Sequence, residues 1–286
     1  MEGGRKATAG KAPEGERAGI QWLPRAPSER HTARLDAFLP ITDAREVHSF
    51  LDQIPLRVDR EKFLRFVLGF PHSYLQMTPP VETVAHFALV STLGGRPAAS
   101  RLAREETGWK LVVVVAGDRS FLFSRIAGSL SFFGADIVSA EAFSNSESLV
   151  LDTFSVSDAQ RRFEQPEEGR RFQAFLEKVI TGEVDLEREL ESQGGKVRVA
   201  LDLEWDDEAH PAATRLVVSG PDAFGLLHAI SRRISEAGCS IEIAHVETRD
   251  GRIRDTFYLT SGGGKLLPES RRAAELALAG LATAPA

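Results

Sequence analysis

The sequence predicts an α+β protein built from two tandem copies of one small unit, and three observations carry that prediction. The first is self-similarity at a fixed spacing, the signature to seek before single elements are named. Asp118 and Asp222 stand 104 residues apart, and the same offset links Leu122 to Leu226, Ile126 to Ile230, Gly134 to Gly238 and Ile137 to Ile241. The second is a single slip: the offset becomes 103 for Asp152 and Asp255, Thr153 and Thr256, Phe154 and Phe257, so one residue is lost where a hairpin tip would lie. The third is that the hydrophobic period changes from strand-like to helix-like in the same order in both copies.

Each element follows from its residues. Leu111 to Ala116 and Leu216 to Ser219 are short β-branched runs ended by Gly-Asp and Gly-Pro-Asp, the pattern of a buried strand entering a tight turn. Phe123, Ile126, Leu130 and Phe133, and then Leu227, Ile230, Ile234 and Ala237, recur at spacings of three and four and so share one helix face. Gly134 and Gly238 follow, where a left-handed cap ends a helix. Ile137 to Phe143 and Ile241 to Thr248 read as strands that pass through polar turns, with Asp250-Gly251 a hairpin signal, into Leu149 to Val156 and Ile253 to Thr260. Second amphipathic helices are expected over Gly169 to Ile180 and Pro268 to Leu281. Lys196 to Trp205 alternates like a further strand, with Val197, Val199, Leu201 and Leu203 on one face. The second copy has no such strand after its last helix; either it does without, or Lys196 to Trp205 is shared. Strand, helix, strand, strand, helix, strand is the ferredoxin-like βαββαβ order, an antiparallel sheet with both helices on one face and the other face free for a partner.

Composition bounds the rest. The chain has 286 residues, 42% hydrophobic and 27% charged, as in an ordinary globular protein. No apolar run approaches a membrane span and the N-terminus has no apolar signal region, so no membrane association is expected and the localisation read is cytoplasmic. A net charge of −6 gives no general attraction to nucleic acid. Residues 1–34 lean basic and are rich in Gly, Pro and Ala without a period, which reads as a disordered tail. Residues 35–107 read as a helical segment and linker, 108–205 as the first unit and 206–286 as the second. The lone Cys239 excludes an intramolecular disulfide and is expected to be a small buried residue by a helix end.

The segments Asp222-Ala-Phe-Gly-Leu-Leu-His, Gly238-Cys-Ser-Ile-Glu-Ile-Ala-His-Val-Glu-Thr and Asp255-Thr-Phe-Tyr-Leu, with Asp118-Arg-Ser-Phe-Leu-Phe, Gly134-Ala-Asp-Ile-Val-Ser-Ala and Leu151-Asp-Thr-Phe in the first copy, resemble ACT domains. The resemblance is to the C-terminal ACT pair of the bifunctional uridylyltransferase/uridylyl-removing enzyme that modifies the PII nitrogen-signalling protein. It covers roughly residues 108–282, including the linker-like Trp205 to Leu216. Phe70-Pro-His-Ser-Tyr-Leu-Gln-Met-Thr-Pro-Pro, followed by Val81 to Val90 at helical spacing, resembles the stretch that precedes that pair.

The resemblance implies regulation by a small ligand, an amino acid such as glutamine, in nitrogen or amino-acid metabolism. Two departures bear on activity. The family's transferase part carries a Gly-Ser turn with spaced aspartates for magnesium, and nothing of that kind precedes residue 108; its hydrolase part needs adjacent His-Asp, and none of the seven histidines here is followed by Asp. Without ligands for a metal that polarises phosphate or water, the expectation is a non-catalytic protein with no metal and no cofactor.

The expected site is the turn of the second copy. A Gly-containing turn that opens a helix presents free backbone N–H groups and a positive helix end, suited to a carboxylate. Asp222, Ala223, Phe224, Gly225, Leu226 and Leu227 form it, with Asp222 able to cap the helix or accept an ammonium group. In the first copy, where Asp118 and Leu122 are weaker candidates, Phe121 stands at the glycine position and would crowd the backbone approach. Phe121, Phe123, Phe132 and Phe133 read alternatively as a dimer or interdomain surface. Asp152 and Asp255 read as structural or edge residues, His228 and His245 as structural rather than metal ligands, and Glu164 to Arg171 with Glu183 to Glu191 as solvated helix faces. Expected partners are a small amino acid, a second copy through ACT-to-ACT pairing, and a protein of nitrogen signalling. The alternatives are an accessory or split fragment of a PII uridylyltransferase, and a purely structural pairing module.

Overall fold

The computed structural model describes residues 40–51, 59–117, 121–146, 148–194 and 196–282. Every described residue lies in one unit, Ala33–Ala286. The tail read over residues 1–34 and the site candidate Asp118 lie outside the described residues.

The fold is α+β around one antiparallel sheet. Its strands are β1 (Ala98–Glu105), β2 (Gly108–Ala116), β3 (Asp136–Ser144), β4 (Leu149–Ser157), β5 (Asp202–Asp206), β6 (Thr214–Pro221), β7 (Ser240–His245), β8 (Thr248–Arg249) and β9 (Arg252–Thr260). Their spatial order is β1-β2-β4-β3-β7-β9-β6-β5, with β8 paired to β9. The first half, β1-β2-β4-β3, is therefore repeated in reverse by the second, β7-β9-β6-β5. The two meet at β3 and β7, where Ala140 pairs with Ala244, its equivalent at the repeat offset. Equivalent residues face each other only on a local two-fold axis, so the duplication in sequence is a two-fold relation in space.

One detail of the strand order departs from expectation. The edge strand of each half precedes that half instead of closing it. β1 lies within the stretch read as helix and linker and pairs with β2. Of the alternating run 196–205 only 202–205 are strand, continuing to Asp206, and they pair with β6. The shared-strand question is thereby settled for the second half, and the order within each half is ββαββα. An alternating pattern names a strand and its buried face but not its neighbour, which is chosen by long-range pairing.

One face of the sheet carries α5 (Leu122–Phe132), α6 (Pro166–Thr181), α7 (Leu186–Gly194), α8 (Leu226–Glu236) and α9 (Pro268–Ala279). Beneath them Leu111, Ile126, Phe154, Phe172, Leu216, Ile230 and Phe257 form one continuous buried core through both halves. Each such side chain contributes about 1.5–3 kcal/mol by burial. Three of the phenylalanines read as a possible dimer or interdomain surface pack within the first half, Phe123 and Phe133 in this core and Phe132 partly buried against it. Phe123 lies against Phe154 at 5.1 Å, Phe133 against Phe172 at 5.3 Å, and Phe132 stacks on Phe175 at 4.8 Å.

The opposite face is not free along its whole length. Helices α1 (Ala44–Leu51), α2 (Arg60–Val67), α3 (His72–Met77) and α4 (Pro80–Ser91) lie over the first half. Phe63, Phe66, Phe70 and Tyr74 pack with Val114, Phe143 and Leu151 of the sheet in a second core that contains no residue of the second half. Lys110 ties the layer down by pairing with Glu82 of α4 and with Glu105. Among the described residues, no helix is long and apolar enough to cross a membrane.

Candidate functional site

The turn between β6 and α8 is set by Gly225, which lies left-handed at φ 72°, ψ 11° and opens α8 with no side chain capping the helix. Asp222 is exposed and does not cap it; its own N–H donates to the Gly251 carbonyl at 2.9 Å. The Leu226 N–H donates to Ala223 O. The first-turn amides of α8 thus have no side-chain acceptor, the condition under which a helix start takes an anion.

The six candidates are not equivalent. Leu226 is buried in the common core and Leu227 is partly buried against it, so only their backbones can meet a ligand. Phe224 is 41% exposed and stands against Gly194 of α7. Ala223 is partly buried, and Asp222 projects from the turn.

The sequence reading missed what lies across from Asp222. Asp136, the first residue of β3 in the other half, has its carboxyl pushed above the usual range by partial burial and then by the Asp222 charge. Asp255, almost fully buried in the central strand β9, is pushed up to about 7 by burial, against the lowering effect of the Glu247 N–H that it accepts. Asp222 raises it further. The Asp222 charge beside this uncapped helix start is thus felt by a carboxyl of each half. Position 240, the repeat equivalent of Asp136, is Ser, so the duplication held no signal for it.

In the first half, Phe121 holds φ 66°, ψ 15°, nearly the angles of Gly225, and likewise opens its helix without a side-chain cap. The turn geometry is thus repeated although the glycine is not. A non-glycine residue in this region carries strain of about 1–2 kcal/mol. Leu122 is buried in the core.

Asp152 and Asp255 occupy central strands rather than edges. Asp152 is fully buried and pushed up to about 8, first by burial and then by the Glu242 charge, and one of its carboxylate oxygens has no hydrogen-bond partner. Glu187, read as part of a solvated face, is exposed; its carboxylate lies 2.9 Å from His228 Nε2 and pairs with Arg232. His245 is the partner of Ser139 in the sheet. Cys239 is buried beside the end of α8. Among the described residues, no group of three or more His, Cys, Asp or Glu is arranged to hold a metal ion.

No protein-family model matches the chain. Curated relatives do. A bifunctional uridylyltransferase/uridylyl-removing enzyme of Phenylobacterium zucineum is 33% identical over 207 residues, covering 70% of this chain and 22% of that protein. The same enzyme of Gluconobacter oxydans is 32% identical over 192 residues, covering 63% of this chain and 20% of its own length. The chain resembles part of that uridylyltransferase/uridylyl-removing enzyme. It spans about a fifth of the length of the curated relatives it matches, as the Nitrobacter winogradskyi enzyme, 32% identical over 205 residues and covered over 21%, also shows.

Proposed function

We propose that this chain is a non-catalytic regulatory unit in which a small zwitterionic ligand, an amino acid such as glutamine, binds at the β6–α8 turn and modulates a partner in nitrogen metabolism. The observation that carries the reading is the uncapped start of α8 beside the exposed Asp222, whose charge reaches Asp136 of the other half. A ligand carboxylate would accept from the N–H groups of the turn while its ammonium group lies between the two acids. Such a ligand acts on the relation between the halves because it touches both, and it shifts that relation only as far as its affinities for the two arrangements differ. The similarity to a uridylyltransferase/uridylyl-removing enzyme over a fifth of that protein supports a role alongside its catalytic parts rather than in place of them.

The test is isothermal titration of glutamine into the purified chain, with Gly225→Phe as control. The substitution places in the second half the side chain that stands at position 121 in the first. Heat from the native chain that is absent in the variant supports the reading; no heat from either removes it.

The relatives' printed name favours a second reading, an accessory piece of a PII uridylyltransferase acting with a separate catalytic chain. Mixed with PII and UTP and no other protein, the chain is expected to give no uridylylation under the first reading; turnover would overturn it.

A further inference from the structure

A cleft of about 630 Å³ opens on the helix face between α7, α8 and α9, with Gly225 in its lining. Its volume falls in the range of small-molecule sites. Its charge runs against the chain's overall −6: Lys196, Arg198, Arg232 and Arg233 line it, against the carboxylates of Glu187 and Glu191. Three of the four cations are engaged. Arg232 pairs with Glu187 and Glu236, Arg233 with Glu236, and Lys196 with Glu191 at 3.4 Å. Arg198 is exposed, with no ion pair to any described residue.

The apolar part of the cleft is equally specific. Phe224, 41% exposed, presents a ring on one wall, and Leu276 of α9, 62% exposed, stands on another. An exposed aromatic ring beside clustered guanidinium groups suits a ligand with a flat ring at one end and a multiply charged oxyanion at the other. Guanidinium forks match phosphate oxygens two at a time; Arg198 has no ion pair to a described residue, and Arg233 shares Glu236 with Arg232 and so keeps N–H groups to donate.

We infer that the α7–α8–α9 cleft, which shares Phe224 and Gly225 with the β6–α8 turn, is a second ligand site and that it takes a nucleotide, with the phosphates on Arg198 and Arg233 and the base against Phe224. The inference does not rest on the amino-acid reading, because the acids that reading uses, Asp222 and Asp136, do not line the cleft and its cations Arg198 and Arg233 are not part of the turn.

The experiment is isothermal titration of ADP, inorganic pyrophosphate and adenosine, each into the full chain without glutamine. ADP is expected to bind, and Arg198→Ala to weaken it about tenfold, as loss of a guanidinium–phosphate contact does. Phe224→Ala is expected to weaken ADP while leaving pyrophosphate unchanged. Arg198 is exposed and Phe224 is partly exposed, so both variants are expected to fold, and their circular dichroism melts are recorded alongside. No heat from ADP up to about 1 mM, a range that detects even weak sites, would overturn the inference. So would ADP affinity indifferent to Arg198→Ala, or pyrophosphate binding as tightly as ADP.

Discussion

The Nδ1 of His228 lies 2.7 Å from the backbone carbonyl oxygen of Ser124, the residue 104 positions earlier that holds the same place in the other half. With Ala140 paired to Ala244, this puts the local two-fold axis through both the sheet and the helix layer. Nδ1 can only donate to a carbonyl, and Nε2 faces the Glu187 carboxylate at 2.9 Å. One imidazole thus joins α5, α8 and α7. The approach is possible because α5 has Gly128 there, where a β-carbon would lie 2.8 Å from both His228 Nδ1 and Leu186 Cδ2.

Gly128→Ala is therefore expected to destabilise the chain by about 1–3 kcal/mol through overpacking. His228→Ala loses two hydrogen bonds, at a cost of about 1–3 kcal/mol. Because the new methyl group collides with the imidazole itself, the double variant is expected to lose less than the two singles together. Urea denaturation of all three variants measures the coupling, and strict additivity would contradict the contact.

Gly225→Ala isolates the cost of the left-handed turn. A β-carbon at Gly225 meets nothing within 4 Å, so only the backbone conformation opposes it. A loss of about 1–2 kcal/mol is expected. Phe121→Ala, where a side chain already bears that conformation, carries no such torsional cost and loses only the packing of the ring. Parallel denaturation curves compare the two.

Asp152 makes stability depend on pH. Its carboxyl sits at about 8 in the folded chain against an ordinary 3.8, so the folded state keeps a proton that the unfolded chain releases between those values. Stability from this group is full below about pH 4, falls as pH rises towards about 8 and then levels off. Asp152→Asn removes the titration. The variant is expected to gain stability relative to the native chain between about pH 5 and about pH 9, measured as the shift in denaturation midpoint. A gap that stays constant across that range would contradict the burial argument.

The outer layer should matter to one half only. Phe143→Ala opens a cavity beneath Tyr74, which lies 5.3 Å from the Phe143 ring, and is expected to cost about 3–5 kcal/mol. Tyr74→Phe removes the hydroxyl that meets His86 Nδ1 at 3.1 Å. Burial holds that histidine down at about 4 and so neutral at pH 7, and leaving its nitrogen unpaired costs about 1–3 kcal/mol. Thr256→Ala, on the strand face of the second half away from the common core, is expected to change stability by less than about 0.5 kcal/mol. Thermal melts rank the three.

Much of the fold was legible because it is written in local periods. The spacing of Phe123, Ile126 and Leu130 names a helix and its buried face whatever lies beneath it, and the structure buries all three. The repeated turn was legible for the same reason, and the matched angles at Phe121 and Gly225 bear out the alignment of those positions. The site was legible only as far as its own half. Asp136 enters from the other half, and Glu187 carries no sign in an acidic stretch that it will be drawn to His228.

The sequence by itself thus determined the duplication, the identity of the helices and strands between residues 108 and 282, and the Gly-containing turn of the second copy, because each of these depends on residues within a few turns of one another. Tertiary structure decided which strand stands at each edge, that α1–α4 cover the outer face of the first half, and that Ser124 meets His228 on an axis. Those are choices among partners far apart in the chain. Hydrogen-bonded strand edges and buried apolar faces accept any complementary neighbour, and only the packing of the whole selects one.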